Sequence, residues 1–307
     1  MSSRQRAILI DVAQFVALTI ALSSVFAMAI IRDGHMASGR SLFTRGMMWS
    51  PGLAALLMMR RRGVSWREIG WNWTGRWEWI AFIAVLFGGL LVYSLAWMTG
   101  VAGFPDPAAV QSIASDFGWR TMPTAFIVVG YAVLTMTLGM VPAITSALGE
   151  EIGWRGYLVP RLASGYSFTA TALITGGIWA VWHYPMFIVA DYDRGGQVWF
   201  SILCFTMLLL AASVICAWLR LKTGSIWPAV IVHASNNLLV QDVLRPLSTD
   251  GRWSHYALDQ FGGLLPLLAV FVAIFAWHHR HEVESVVREP SAGEVQPATV
   301  LTRAVPQ

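Results

Sequence analysis

An all-α fold is expected of this chain, a polytopic membrane protein with about eight transmembrane helices enclosing an intramembrane cavity. Three observations predict it. Of 307 residues, 56% are hydrophobic and only 12% are charged, whereas soluble domains carry about 25% charged residues. Mean hydropathy is +0.58. The apolar residues also gather into runs close to the ~20 residues that a helix needs to cross a bilayer. Many of these runs end in tryptophans such as Trp49, Trp71, Trp79, Trp199 and Trp277, placed as interfacial anchors are.

The first run covers 8–31. Arg4 and Arg6 ahead of it, and Ala27-Met28-Ala29 near its end, imitate a secretory signal. A signal core is only about 7–15 residues long, so an uncleaved helix is expected. A short run at 46–59 carries Pro51, and 79–101 is long enough to span. The stretch 125–161 exceeds one straight crossing, and Pro142 should bend it. Runs at 167–190, 198–219, 226–244 and 261–278 complete the eight. Residues 1–278 are therefore expected to form a single transmembrane helical domain. Residues 279–307, polar and containing Pro290, Pro297 and Pro306, are expected to be a disordered cytoplasmic tail.

Charge sets the expected orientation. Twenty of the 21 basic residues are Arg, scattered through the loops, and no basic stripe suggests nucleic acid. With both termini inside, inner segments hold 13 Lys or Arg and outer loops hold seven, Arg155 being left out as intramembrane. That bias places both termini in the cytoplasm. The short loops and Arg-rich, Lys-poor composition suggest a bacterial cell membrane. Cys204 and Cys216 lie in one run with no CxxC, so neither a disulfide framework nor a zinc knuckle is indicated.

Three polar clusters interrupt these runs: Glu150-Glu151-x-x-x-Arg155, Trp179-x-x-x-His183 and His233-x-x-x-Asn237. An ionisable side chain at the bilayer centre costs roughly 2.5–3.5 kcal/mol on insertion scales, so such groups point to function. Glu150 and Glu151 are adjacent, about 100° apart on a helix, and cannot both face one site. Glu151 precedes Arg155 by four residues, the favourable order for a helical ion pair. These two take a structural role, and Glu150 is left to face a cavity as a general base. Gly149 and Gly153 form a GxxxG that lets a neighbouring helix approach closely. His233 and Asn237 share a helical face, and an Asn amide donates well to a developing oxyanion. Asn236 points elsewhere. Glu, His, His and Asn together suit an intramembrane hydrolase.

The three motifs, in this order on successive apolar segments, resemble the CPBP family of intramembrane proteases. That family includes the type II CAAX prenyl endopeptidases and the bacterial Abi proteins. The resemblance covers about Trp49 to Gln241 and is strongest over Glu150–Arg161. It implies an eight-helix fold and an endopeptidase. In it, Glu150 and His183 deprotonate a water, while His233 and Asn237 stabilise the tetrahedral oxyanion. Glu151, Arg155 and Trp179 are supporting residues. The family's second motif usually opens with Phe; Trp179 here substitutes one aromatic for another, a matter of packing. No cofactor is favoured. Zinc is possible through Glu150, His183 and His233, a two-His, one-carboxylate set with an open position, although no HExxH is present. The partners implied are membrane lipid and a peptide or membrane-associated protein substrate. Rival readings are a non-catalytic immunity scaffold and a proton-coupled transporter, the latter without the internal repeat it would need.

Overall fold

The computed structural model describes residues 2–33, 42–190, 192 and 197–284, and no strand occurs among them. The helices are α1 (Ser3–Asp33), α2 (Leu42–Arg62), α3 (Arg76–Met98), α4 (Pro107–Asp116), α5 (Thr124–Leu138), α6 (Met140–Glu151), α7 (Val159–Ala163), α8 (Phe168–Val189), α9 (Val198–Thr223), α10 (Trp227–Asn236), α11 (Ser254–Ala257) and α12 (Leu264–His278). A π-helical stretch, Ile152–Leu158, joins α6 to α7, and a second, Asn237–Leu244, extends α10. Most of the expected tail, 285–307, lies outside the described residues.

Each apolar run read from the sequence contains helix. Among the described residues, α1, α3, α8 and α9 are long and apolar enough to cross a membrane. The bent pair Thr124–Leu138 and Met140–Ala163 makes a fifth if it is one span. The structure thus supports four to five spans on this measure, not eight. The reasons are local. Helix α2 carries Pro51 and four arginines, and α12 has only 15 residues. The bend of 46° falls at Gly139 rather than at Pro142 itself. A proline ring collides with the carbonyl four residues earlier, here that of Leu138, so the chain breaks just beyond that residue.

Large apolar side chains point outward along the apolar helices, among them Phe87 and Leu91 on α3, Leu203 on α9 and Phe271 on the shorter α12. Water would make such faces an aggregation hazard; acyl chains solvate them. Inside, α2 closely approaches the end of α6 and the π-helical stretch after it. A Cβ on Gly149 would stand 2.7 Å from Trp49 Cα, and one on Gly153 would stand 2.5 Å from Pro51 Cβ. From the other side, a Cβ on Gly52 would meet the Gly149 carbonyl oxygen at 2.5 Å. The GxxxG is therefore met by α2. Arg220, buried on α9, donates through Nε to the Arg155 carbonyl oxygen (3.1 Å) and through Nη2 to that of Glu68 (2.9 Å). This ties the first π-helical stretch to α9.

This packing predicts an asymmetry between two glycines. Gly149→Ala should lower stability by about 1–3 kcal/mol, the usual cost of overpacking, because the new methyl meets backbone that cannot move aside. Gly177→Ala, with nothing within 4 Å, should leave Tm unchanged or raise it slightly, since Ala is the better helix former. Thermal unfolding in detergent checks this, and equal Tm values for the two variants would contradict the packing described.

Candidate active site

Glu150 closes α6 as one of its last two residues and is 2% exposed. Its Oε2 accepts two indole N–H groups, from Trp179 Nε1 at 2.6 Å and Trp154 Nε1 at 3.3 Å. With both donors on one oxygen, Oε1 is the oxygen left for other chemistry. Glu150 borders a cavity of about 250 Å³, mostly apolar in lining, together with His183, His233 and Asn237. The four residues picked out in the sequence thus come from α6, α8, α10 and the π-helical extension of α10 to one space.

Glu151 and Arg155 are both fully buried and paired at 2.8 Å, as their spacing suggested. The same Glu151 oxygen also meets His233 Nδ1 at 2.9 Å, so Glu151 reaches the site after all, from behind an imidazole. The i, i+4 spacing reveals only the partner on Glu151's own helix, and a partner 82 positions away leaves no mark in the sequence. Arg155 in turn lies over the Trp179 ring, 4.4 Å from its centroid, and its Nη2 donates to Ser213 Oγ at 3.4 Å.

His183 Nδ1 lies 2.9 Å from the Trp179 carbonyl oxygen. A carbonyl only accepts, so Nδ1 carries a proton, and in the neutral ring Nε2 keeps its lone pair. Trp182 and Phe205 set their rings edge-on to this imidazole, and Tyr192 stacks at 6.0 Å with 13° between planes. Trp179 therefore holds both Glu150, through its indole N–H, and His183, through its backbone. Treating it as packing alone missed that N–H; the signal was the substitution itself, since Phe has no donor. Asn236, expected to point elsewhere, also borders the cavity. It stands at the junction where α10 passes into the wider π-helical turn, and neighbouring side chains there fan apart less. Gln241, not singled out in the sequence, donates to Asn237 Oδ1 at 3.2 Å. Its spacing of four from Asn237 was the available clue.

Glu150, His183 and His233 share the cavity wall, but among the described residues no group of three or more His, Cys, Asp or Glu is placed to hold a metal ion.

The Glu151–Arg155 pair carries a stability prediction. Removing one partner of a buried pair leaves an uncompensated charge, costing about 3–5 kcal/mol. Arg155→Leu should accordingly lower Tm sharply, and adding Glu151→Gln should recover part of the loss. Thermal unfolding of both variants in detergent measures this coupling, and strictly additive losses would contradict it.

Residues 132–239, which hold all three polar motifs, match the family model described as Rce1-like: type II CAAX prenyl endopeptidase Rce1-like. Among curated proteins, CAAX prenyl protease 2 of Methanococcus maripaludis is 35% identical over 100 residues, 31% of this chain and 36% of the relative. The chain is thus matched to about a third of that relative's length. The segment that builds the cavity's polar wall is thus similar to the Rce1-like type II CAAX prenyl endopeptidases, the resemblance its motifs indicated.

Proposed function

We propose that this protein is an intramembrane endopeptidase in which Glu150 and His183 activate water while His233 and Asn237 hold the oxyanion. One observation carries the reading: four polar side chains from α6, α8, α10 and the π-helical extension of α10 border one cavity. Glu150 Oε1 takes a proton from water as the water oxygen attacks the scissile carbonyl carbon. His183 Nε2, unprotonated, accepts the second water hydrogen and fixes the direction of attack. The carbonyl oxygen becomes an oxyanion facing the Asn237 amide N–H groups and His233 Nε2. The Glu151 carboxylate behind His233 is the counter-charge for the form whose Nε2 carries a proton. As the tetrahedral intermediate collapses, the C–N bond breaks and Glu150 returns its proton to the leaving nitrogen. The products are a carboxylic acid and an amine.

The substrate in this reading is a peptide or a membrane-associated protein reaching the cavity from the lipid that surrounds the helices. The relative's name makes a prenylated CAAX peptide the first substrate to try. Both termini face the cytoplasm of a bacterial cell membrane, following the Arg bias. A glutamate-activated mechanism without metal is favoured because Glu150 Oε2 is already committed to two indoles.

Glu150→Gln should reduce cleavage of a quenched membrane-peptide library, prenylated members included, by roughly 10²–10⁴-fold. Wild-type activity should survive a zinc chelator. Activity lost to chelator and restored by zinc would replace this mechanism with a metal-dependent one. Undiminished cellular function in Glu150→Gln would favour the non-catalytic scaffold instead. Trp179→Phe restores the family's usual residue but removes the N–H. Hydrogen bonds to charged groups contribute about 1.5–3 kcal/mol, so kcat should fall about tenfold or more with KM within about twofold. An unchanged kcat would show that the indole only packs.

A further inference from the structure

Gln241 lies on the π-helical extension of α10, four residues past Asn237 and outside the family-matched segment. Its Nε2 donates to two oxygens, Asn237 Oδ1 at 3.2 Å and Gln260 Oε1 at 3.1 Å. A carboxamide nitrogen carries two hydrogens, so both are spent. Gln260 is itself buried, and its Nε2 donates to Tyr192 Oη at 3.4 Å. Its backbone N–H meets Asp259 Oδ1 at 2.5 Å, next to the left-handed turn at Asp259 (φ 70°). The amides form a chain with one direction. Gln260 turns its oxygen toward Gln241, Gln241 turns its nitrogen toward both oxygens, and Asn237 therefore turns its oxygen toward Gln241. The Asn237 nitrogen is left on the opposite side of the amide, and Asn237 borders the cavity.

We infer that Gln241, aligned by Gln260, is a positioning residue that holds the Asn237 amide with its N–H groups toward the cavity. The inference rests on the oxyanion role proposed above for Asn237. The terminal torsion of an Asn is broad and roughly two-fold, so an unheld amide would also present its oxygen to the oxyanion, where it repels. A chain of partners with one direction removes the wrong orientation. Gln241 and Gln260 also border the cavity, but with both Gln241 amide hydrogens spent on Asn237 and Gln260, Gln241 acts through Asn237.

The test joins a spectroscopic reading to a kinetic one. Asn72, Asn236 and Asn237 are the only asparagines of the chain, so isotope-labelled asparagine gives three side-chain amide signals, and Asn237→Ala identifies the relevant one. In Gln241→Leu that signal should shift or broaden, while the Asn72 signal stays in place. Using the library peptide that wild type cleaves best, Gln241→Leu should lower kcat about tenfold with KM within twofold and Tm little changed. Gln241→Glu offers only acceptors when ionised, attracts the Asn237 N–H groups and should be slower than Gln241→Leu. Asn237→Ala/Gln241→Leu should be no slower than Asn237→Ala. An Asn237 signal unmoved in Gln241→Leu would overturn the inference, as would a double variant whose losses multiply. If wild type cleaves nothing, or Glu150→Gln cleaves equally well, the protease reading falls. The Asn237 signal would still decide the alignment.

Discussion

A carboxylate taken out of water must be repaid by fixed partners, and the structure is organised around the repayment made to Glu151. Its Oε1 is shared by the Arg155 guanidinium and the His233 ring, with Glu151 and Arg155 both fully buried. Stranded charge here would cost several kcal/mol, so the three side chains hold α6, its π-helical continuation and α10 in one arrangement. Arg155 extends the network by covering Trp179, and Trp179 extends it again by donating to Glu150. The group proposed to act as base is therefore held by an indole that is covered by the residue balancing its neighbour's charge.

The backbone supports this arrangement with two departures from α-helix, each beside the site. One π-helical stretch begins at Ile152, directly after the Glu pair, and the other begins at Asn237 itself. Such turns occur frequently at functional sites, and they redirect the side chains that follow. The glycines at 149 and 153 let α2 press against the first of them, and Arg220 donates to its Arg155 carbonyl. Local irregularity is tolerated because its surroundings are dense and the Arg155 carbonyl and Nη1 find partners inside the protein, as a bilayer demands.

The class of fold and the four cavity residues were legible in the sequence because both rest on short-range signals. Apolar runs of bilayer length declare helices, and costly polar groups within them declare a site. The Gly149/Gly153 spacing announced a close helix contact without naming α2 as the partner. Contacts made between distant segments were not legible. Nothing in the local pattern around Glu151 points to His233, and the Trp in place of Phe at 179 announces an N–H donor without naming Glu150 as its acceptor. The alignment of Gln241 with Gln260 joins two segments through amides that look like ordinary surface residues in a list. The count of eight spans is not confirmed, for a different reason. Apolar runs were scored by extent, whereas α2 is interrupted by arginines and proline and α12 is short.

The central claim is that Glu150 and Asn237 face one hydrated cavity within the lipid-embedded bundle. Single cysteines placed at 150 and 237, with Cys204 and Cys216 changed to Ala, can be exposed in liposomes to a small charged thiol reagent. A cysteine at the outward-facing Phe87 position serves as the lipid reference. The account predicts measurable labelling at 150 and 237 and none at 87, because the thiolate and the charged reagent both need water. Labelling at 150 and 237 as slow as at 87 would contradict it, since the polar cluster would then be a dry internal staple rather than a site where water attacks a peptide bond.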